Sequence, residues 1–311
     1  MDAAELDYDL PPELIAQHPA ERRDASRLLV FDRTSGDVSH HVFRELPDVL
    51  PSGVLAVVND TRVVPARIPI ERPRGEVLLL ERVGEDGEWE ALARPTRRLR
   101  AGRIYGGVEL LEHLGAGRWR VRLAGEASGR VPLPHYITEP LADESRYQTV
   151  YAREAGSAAA PTAGLHFTPE VLARLDVARV TLHVGLDTFR PLLADVVEEH
   201  AIHGERYSVD AAEWKRIRCA RDVLAVGTTT VRVLETLARG AATSGRTELF
   251  VTPGFEFRRV DRLLTNFHLP RSTLLALVMA FAGVEQVRHL YALAIAERYR
   301  FYSFGDAMLI L

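Results

Sequence analysis

The 311-residue chain has room for one large or two ordinary domains, and 47% hydrophobic with 26% charged residues is the balance of a globular protein with a sizeable core. A net charge of −4 argues against nonspecific wrapping of nucleic acid, which needs clustered positive charge, so any RNA contact is expected to be local. The single cysteine, Cys219, excludes an intrachain disulfide and the three-cysteine cluster of a radical iron–sulfur enzyme.

Residues 1–9 are acidic, with no basic segment leading into an apolar one. The longest apolar stretch, residues 274–284, is shorter than the roughly 20 residues that cross a bilayer. A cytoplasmic protein with no membrane partner is expected. The cations are arginines apart from Lys215, which suits bidentate phosphate contacts and equally fits a compositional bias of the genome.

After a proline-bearing entry (Leu10-Pro11-Pro12), residues 28–31 read as a strand, and residues 54–58, five apolar residues between Gly53 and Asn59-Asp60, as a strand buried on both faces. From Val63 to Tyr151 the texture changes to short apolar segments at 67–70, 77–83, 89–93, 108–111 and 119–123, separated by glycine-bearing turns, which predicts an inserted all-β barrel-like domain over 63–151. After Tyr151 strands (178–184, 222–226) alternate with a helix (230–238), and two further helices follow around Leu274–Phe281, capped by Ser272, and Val287–Ala294. The fold class is therefore α/β, a mainly parallel sheet with covering helices formed by 1–62 and 152–311, plus the inserted domain.

In open α/β sheets ligands bind at the carboxyl ends of strands, and polar residues are dense at those turns. Asp60 and Arg62, after the buried strand, either brace a turn or hold a ligand. Thr162 and His166 lie in Pro-Thr-Ala-Gly-Leu-His-Phe (161–167), where small residues bring the backbone close and the imidazole titrates near neutrality. His183, between Leu182 and Val184, faces either a polar pocket or solvent. His200 and His203 beside Glu205 have a spacing compatible with a metal, but not the His-Glu-x-x-His pattern, and no metal is expected. Thr228, Thr229 and Arg232 follow a strand at a helix start, suited to a carboxylate or phosphate, with N-capping as the plain alternative. Asn266 and His268 flank an aromatic residue just before a helix.

Taken in order, the segments Tyr-Asp-Leu-Pro (8–11), Ile-Ala-Gln-His-Pro (15–19), Asn-Asp-Thr-Arg (59–62), Tyr-Gln-Thr-Val-Tyr (147–151), Ala-Pro-Thr-Ala-Gly-Leu-His-Phe (160–167), Leu-His-Val-Gly (182–185), 226–232, 265–270 and 299–308 resemble the S-adenosylmethionine:tRNA ribosyltransferase-isomerase family over essentially the whole chain. Two positions depart from that pattern: Asp187 stands where the family has glycine, and Gly204 where it has serine. The resemblance implies transfer of the ribosyl part of S-adenosylmethionine to 7-aminomethyl-7-deazaguanine at the tRNA wobble position, giving epoxyqueuosine, adenine and methionine. S-adenosylmethionine would then be a co-substrate, with no permanently bound cofactor, tRNA the macromolecular partner and the protein a monomer. Such chemistry needs a base, an acid for the departing adenine and stabilised ring oxygens. His166 or His183 is expected as base and His268 as acid; Asp60, Arg62, Thr162, His203, Glu205, Thr228, Thr229, Arg232 and Asn266 as substrate-binding; and Arg94, Arg97 and Arg98, with Arg100 and Arg103, as a tRNA-facing patch. The rivals are a methyltransferase, which would show a glycine-rich loop absent after Val58, and a noncatalytic RNA-binding module, which would not need histidine-bearing turns along the whole chain.

Overall fold

The computed structural model describes residues 1–83, 87–124, 129–185, 196–200, 202 and 204–311. The chain enters through three short 3-10 turns, then lays down β1 (Arg27–Phe31), β2 (Val38–Val42), the helical turn α1 (Leu46–Val49) and β3 (Leu55–Asn59). β3 is buried along its length, as an apolar run of this kind requires of a central strand. Its polar end is buried too, because Asn59 Nδ2 donates to Leu182 O at 3.0 Å while Asn59 Oδ1 accepts from Leu182 N at 3.0 Å. That two-way amide clamp satisfies groups which could not otherwise leave water without cost.

The next seven strands are β4 (Thr61–Val63), β5 (Arg67–Ile70), β6 (Gly75–Arg82), β7 (Glu88–Arg94), β8 (Arg103–Tyr105), β9 (Val108–Gly115) and β10 (Arg118–Leu123). Among the described residues β5 to β10 form one six-stranded sheet, ordered β5-β6-β7-β10-β9-β8, with every pairing antiparallel. Alternate residues, including Val77, Leu79, Trp89, Ala91, Trp119 and Val121, bury one face in a core of their own. The barrel-like expectation needs refinement, for β5 and β8 are not paired with each other and the sheet is a curled half-barrel. The curl carries the β8–β9 turn against β5, so closely that a Cβ on Gly106 would lie 2.7 Å from Pro69 O.

The rest of the chain supplies β11 (Glu154–Ser157), α2 (Pro169–Leu172), β12 (Asp176–Leu182), β13 (Glu205–Ser208), α3 (Ala211–Cys219), β14 (Val223–Val226), α4 (Thr228–Ala238), β15 (Ser244–Thr247), β16 (Arg262–Asn266), α5 (Thr273–Ala282), α6 (Val284–Ala296) and β17 (Ala307–Ile310). β11 pairs with β4 in a separate two-stranded sheet, and the main sheet of the described residues has nine strands, ordered β15-β13-β12-β3-β14-β16-β17-β1-β2. Its centre, β12-β3-β14-β16, is parallel, as expected, and ends all its strands at one edge. The sheet as a whole is mixed, and this corrects the expectation of a mainly parallel one: β2, β13, β15 and the β16–β17 pair are antiparallel. For the β1–β2 pair the reason is connection length. Residues 32–37 between β1 and β2 suffice for a hairpin but not for the crossover of a dozen or more residues that a parallel pair needs.

Ser272 caps α5 by accepting from Leu275 N at 3.2 Å, and most of the helix is buried. Among the described residues no single helix is long and apolar enough to cross a membrane.

Candidate active site

At the carboxyl edge of the parallel strands lies a pocket lined by Ala160, Pro161, Thr162, Ala163, Val184, Gly227, Thr228, Thr229, Thr265, Asn266, His268 and Leu274. Each contributing segment is shaped by its own sequence. Gly227, at φ 87°, takes the left-handed region that a residue with a Cβ avoids, and lets β14 turn directly into α4. No threonine side chain caps that helix. Thr230 Oγ1 donates back to Val226 O at 2.7 Å, and Thr229 Oγ1 accepts from Asn59 Nδ2 at 3.3 Å. The first amides of α4, at Thr228 and Thr229, have no carbonyl within the helix to bond, so the pocket faces the positive end of a helix dipole.

Asn266 ends β16 and is 2% exposed. Its Nδ2 meets His166 Nε2 at 3.1 Å, while its Oδ1 is buried with no hydrogen-bond partner. His268 is held twice over. Its Nε2 meets Thr265 Oγ1 at 2.8 Å; its main chain donates to Tyr291 Oη at 2.9 Å and accepts from the Tyr8 hydroxyl.

His166 is buried behind Asn266, with Nδ1 2.7 Å from Ser26 Oγ and the ring stacked on Phe43. His183 does not line the pocket. Its Nδ1 is 2.8 Å from Thr61 Oγ1, and the ring packs on Gly156, where a Cβ would come within 2.9 Å. Burial lowers all three imidazoles: His166, with help from the Arg300 and Arg23 charges, and His268 to about 3, and the half-buried His183 by a smaller margin.

The two buried imidazoles are therefore neutral at pH 7. From pH 6.5 down to about 3 the unfolded chain binds protons that the folded chain refuses, so their contribution to stability is complete above pH 6.5 and is lost as the pH falls toward 3. Each adds a slope of about 1.4 kcal/mol per pH unit in that window. Denaturant midpoints are expected to fall steeply below pH 6, and His268→Ala to remove one of these two slopes; a wild-type profile flat from pH 7 to 4.5 contradicts it.

Glu205 and Arg232 lie in an adjoining, larger cleft between the half-barrel and the main sheet, whose walls include Glu81, Glu90, Arg246, Leu249, Phe250, Leu274 and Leu277. Leu274 lines both cavities. Arg232 ion-pairs with Glu205 and donates to Leu249 O at 3.0 Å and Thr247 O at 3.1 Å; Glu205 also accepts from Gly185 N at 3.0 Å.

The remaining predicted residues are elsewhere. Asp60, 1% exposed, spends its carboxylate on Thr181 Oγ1 at 2.7 Å and Arg153 Nε at 3.0 Å, bracing the chain where it leaves the main sheet. Arg62 is exposed beside β11. His203 and Asp187 fall outside the described residues. Arg94, Arg97, Arg98, Arg100 and Arg103 are all exposed on the half-barrel. Among the described residues no group of three His, Cys, Asp or Glu could hold a metal ion.

A family model described as "Queuosine biosynthesis protein" matches residues 3–310. The chain belongs to that family. It is 55% identical to the S-adenosylmethionine:tRNA ribosyltransferase-isomerase of Rubrobacter xylanophilus, over all of this chain and 98% of that one, and 49% identical to the protein of the same name from Desulfitobacterium hafniense over the whole of both. The crystal structure of S-adenosylmethionine tRNA ribosyltransferase from Thermotoga maritima superposes with a TM-score of 0.59 at 39% identity, covering 99% of this chain and 100% of that one.

Within this family member, several residues that hold the site were not singled out from the sequence. Ser26 and Thr265 orient two of the histidines, and Arg153 holds Asp60. Thr265 sits three residues from His268, a spacing readable in principle. Ser26 and His166 are 140 residues apart, and only folding joins them.

Proposed function

We propose that this protein transfers and isomerises the ribosyl moiety of S-adenosylmethionine onto 7-aminomethyl-7-deazaguanine at the wobble position of tRNA, releasing adenine and methionine and leaving epoxyqueuosine. The observation that carries this reading is the convergence, at one strand edge, of residues 160–163, 184, 227–229 and 265–268, all segments by which the chain resembles its family.

The sulfonium acidifies the adjacent 5′-carbon, so a base can form an ylide that opens the ribose and expels adenine; the substrate amine then attacks, and closure to the epoxide releases methionine. Thr228, Thr229 and the unpaired amides of α4 hold the methionyl carboxylate, because a helix N-terminus favours an anion. Phe250, Leu249 and Leu274 offer an apolar slot for the adenine in the larger cleft. Asn266 Oδ1 accepts from a ligand hydroxyl or amine, and Thr162 borders the same space. Glu205 and Arg232 shape the cleft through their ion pair, with His203 assigned to the same substrate. Asp60 and Arg62 act on the ligand only through the turn they form. The proton taken from C5′ balances the one that the departing adenine gains, and His268, whose neutral imidazole gains proton affinity beside the developing negative charge, is assigned to deliver it. The base that takes the 5′-proton is assigned to His166 or His183, of which His166 stands directly behind the pocket residue Asn266.

Residues 63–151 act as an inserted unit whose Arg94, Arg97 and Arg98 grip RNA phosphates. S-adenosylmethionine is the co-substrate, no cofactor is resident, and the protein works as a cytoplasmic monomer. The deciding experiment incubates the protein with S-adenosylmethionine and tRNA bearing the aminomethyl base. Free adenine supports this reading; S-adenosylhomocysteine instead signals methyl transfer, and neither product signals a binding module. Arg97→Gln/Arg98→Gln is expected to weaken tRNA binding and flatten its salt dependence without changing affinity for S-adenosylmethionine.

A further inference from the structure

We propose that a small recess beside His166 is a phosphate site for the RNA substrate, with Arg23 and Arg146 as its anion donors. The inference rests on the reading of tRNA as substrate and adds to it a contact that none of the residues assigned above supplies. The recess is lined by Arg23, Arg146, His166, Ser26 and Ser303 among others, and no carboxylate is in its wall.

Both guanidiniums are spent on main-chain carbonyls alone. Arg23 donates to Leu165 O at 3.0 Å and Ser145 O at 3.1 Å; Arg146 donates to Ala20 O at 2.6 Å and Glu21 O at 3.2 Å. The Nε of Arg146 is buried without a partner. Neighbouring cations are treated differently: Arg22 has Asp24, Arg153 has Asp60 and Arg300 has Asp306. Asp143 acts on Arg23 and Arg146 from a distance, but forms no ion pair with either among the described residues. Two guanidiniums side by side with no carboxylate bonded to either, partly removed from water, repel each other, and their forked donors match a phosphate.

The opposite wall, Ser303 to Gly305, is held in place at some cost. Tyr302 sits at φ 70°, a region residues with a side chain seldom adopt, and a Cβ on Gly305 would collide with the Arg300 carbonyl. His166 forms the back of the recess and bonds Asn266, which lines the reaction pocket. A phosphate seated there is one hydrogen-bonded pair of side chains from the reacting atoms, and so fixes the register of the modified nucleotide.

The test uses the full-length enzyme and a synthetic anticodon stem-loop in which one phosphate at a time around the wobble position is replaced by an uncharged methylphosphonate. Wild type is expected to lose about tenfold in affinity at one linkage, the size of a charge-assisted contact. Arg146→Ala is expected to bind the unmodified RNA about tenfold more weakly and no longer to distinguish that linkage, with affinity for S-adenosylmethionine unchanged. Arg146→Lys, which keeps the charge without the fork, retains part of the distinction and serves in its place if thermal melting shows the alanine variant unfolded. Losses that simply add, a wild type indifferent to every linkage, or a weakened S-adenosylmethionine site in place of the RNA site each overturn the proposal. Adenine release by wild type with no such coupling removes the phosphate site alone, whereas absence of adenine removes the functional reading beneath it.

Discussion

His268→Ala is expected to slow adenine release by about two to four orders of magnitude, the usual worth of a positioned proton donor, while the protein still folds and binds S-adenosylmethionine. The separation is possible because the main chain at His268 is latched independently of its ring: the Tyr291 and Tyr8 hydroxyls hold the amide and carbonyl, and Thr265 alone holds the imidazole. Burial keeps that imidazole neutral, so what the variant loses is a group whose proton affinity rises only as adenine departs. Single-turnover measurement of adenine, with affinity for S-adenosylmethionine in parallel, decides the matter. Turnover within threefold of wild type would remove His268 from the chemistry, and a matching loss of affinity would make it a binding residue.

The largest effect on stability is expected at the Glu205–Arg232 pair. Both side chains are about nine-tenths buried or more, and Arg232 joins α4 to the end of β15 at Thr247 and to Leu249 just beyond it. Truncating one partner leaves a charge in a place that water cannot easily reach, and Arg232→Ala should cost about 3–5 kcal/mol. Replacing both residues by leucine should recover most of that loss, since two apolar groups need no counter-charge, yet should not restore turnover if the cleft binds substrate. Denaturant unfolding of the two variants separates the cases; a single variant within 1 kcal/mol of wild type means that water screens the pair.

Some elements were legible because a local pattern suffices to form them. The run at 54–58 became β3 with its polar end at the site, Ser272 became the cap of α5, and the short alternating segments between 67 and 123 became strands of the half-barrel. β13 and β15 carried no such pattern, and β17, although residues 307–311 are an apolar run, was not singled out. Each is only four residues long and takes its shape from a neighbouring strand, and they account for much of the antiparallel pairing that the sequence did not suggest.

The candidate site divides along the same line. Thr162, Thr228, Thr229, Asn266 and His268 share one pocket because each follows a parallel strand or borders a turn beside it, a placement that strand polarity imposes and that residue order alone conveys. Asp60 and His183 occupy equivalent positions after their strands, yet Asp60 turns to Arg153 and Thr181, and His183 to Thr61. The sequence by itself therefore determined the family, the kinds of chemical group available and the edge of the sheet where they gather. Which of those groups face one another, and the Arg23–Arg146 recess built from four distant segments, were decided only by tertiary structure, because hydrogen-bond partners such as Ser26 and His166 lie far apart along the chain and burial is a property of the packed whole.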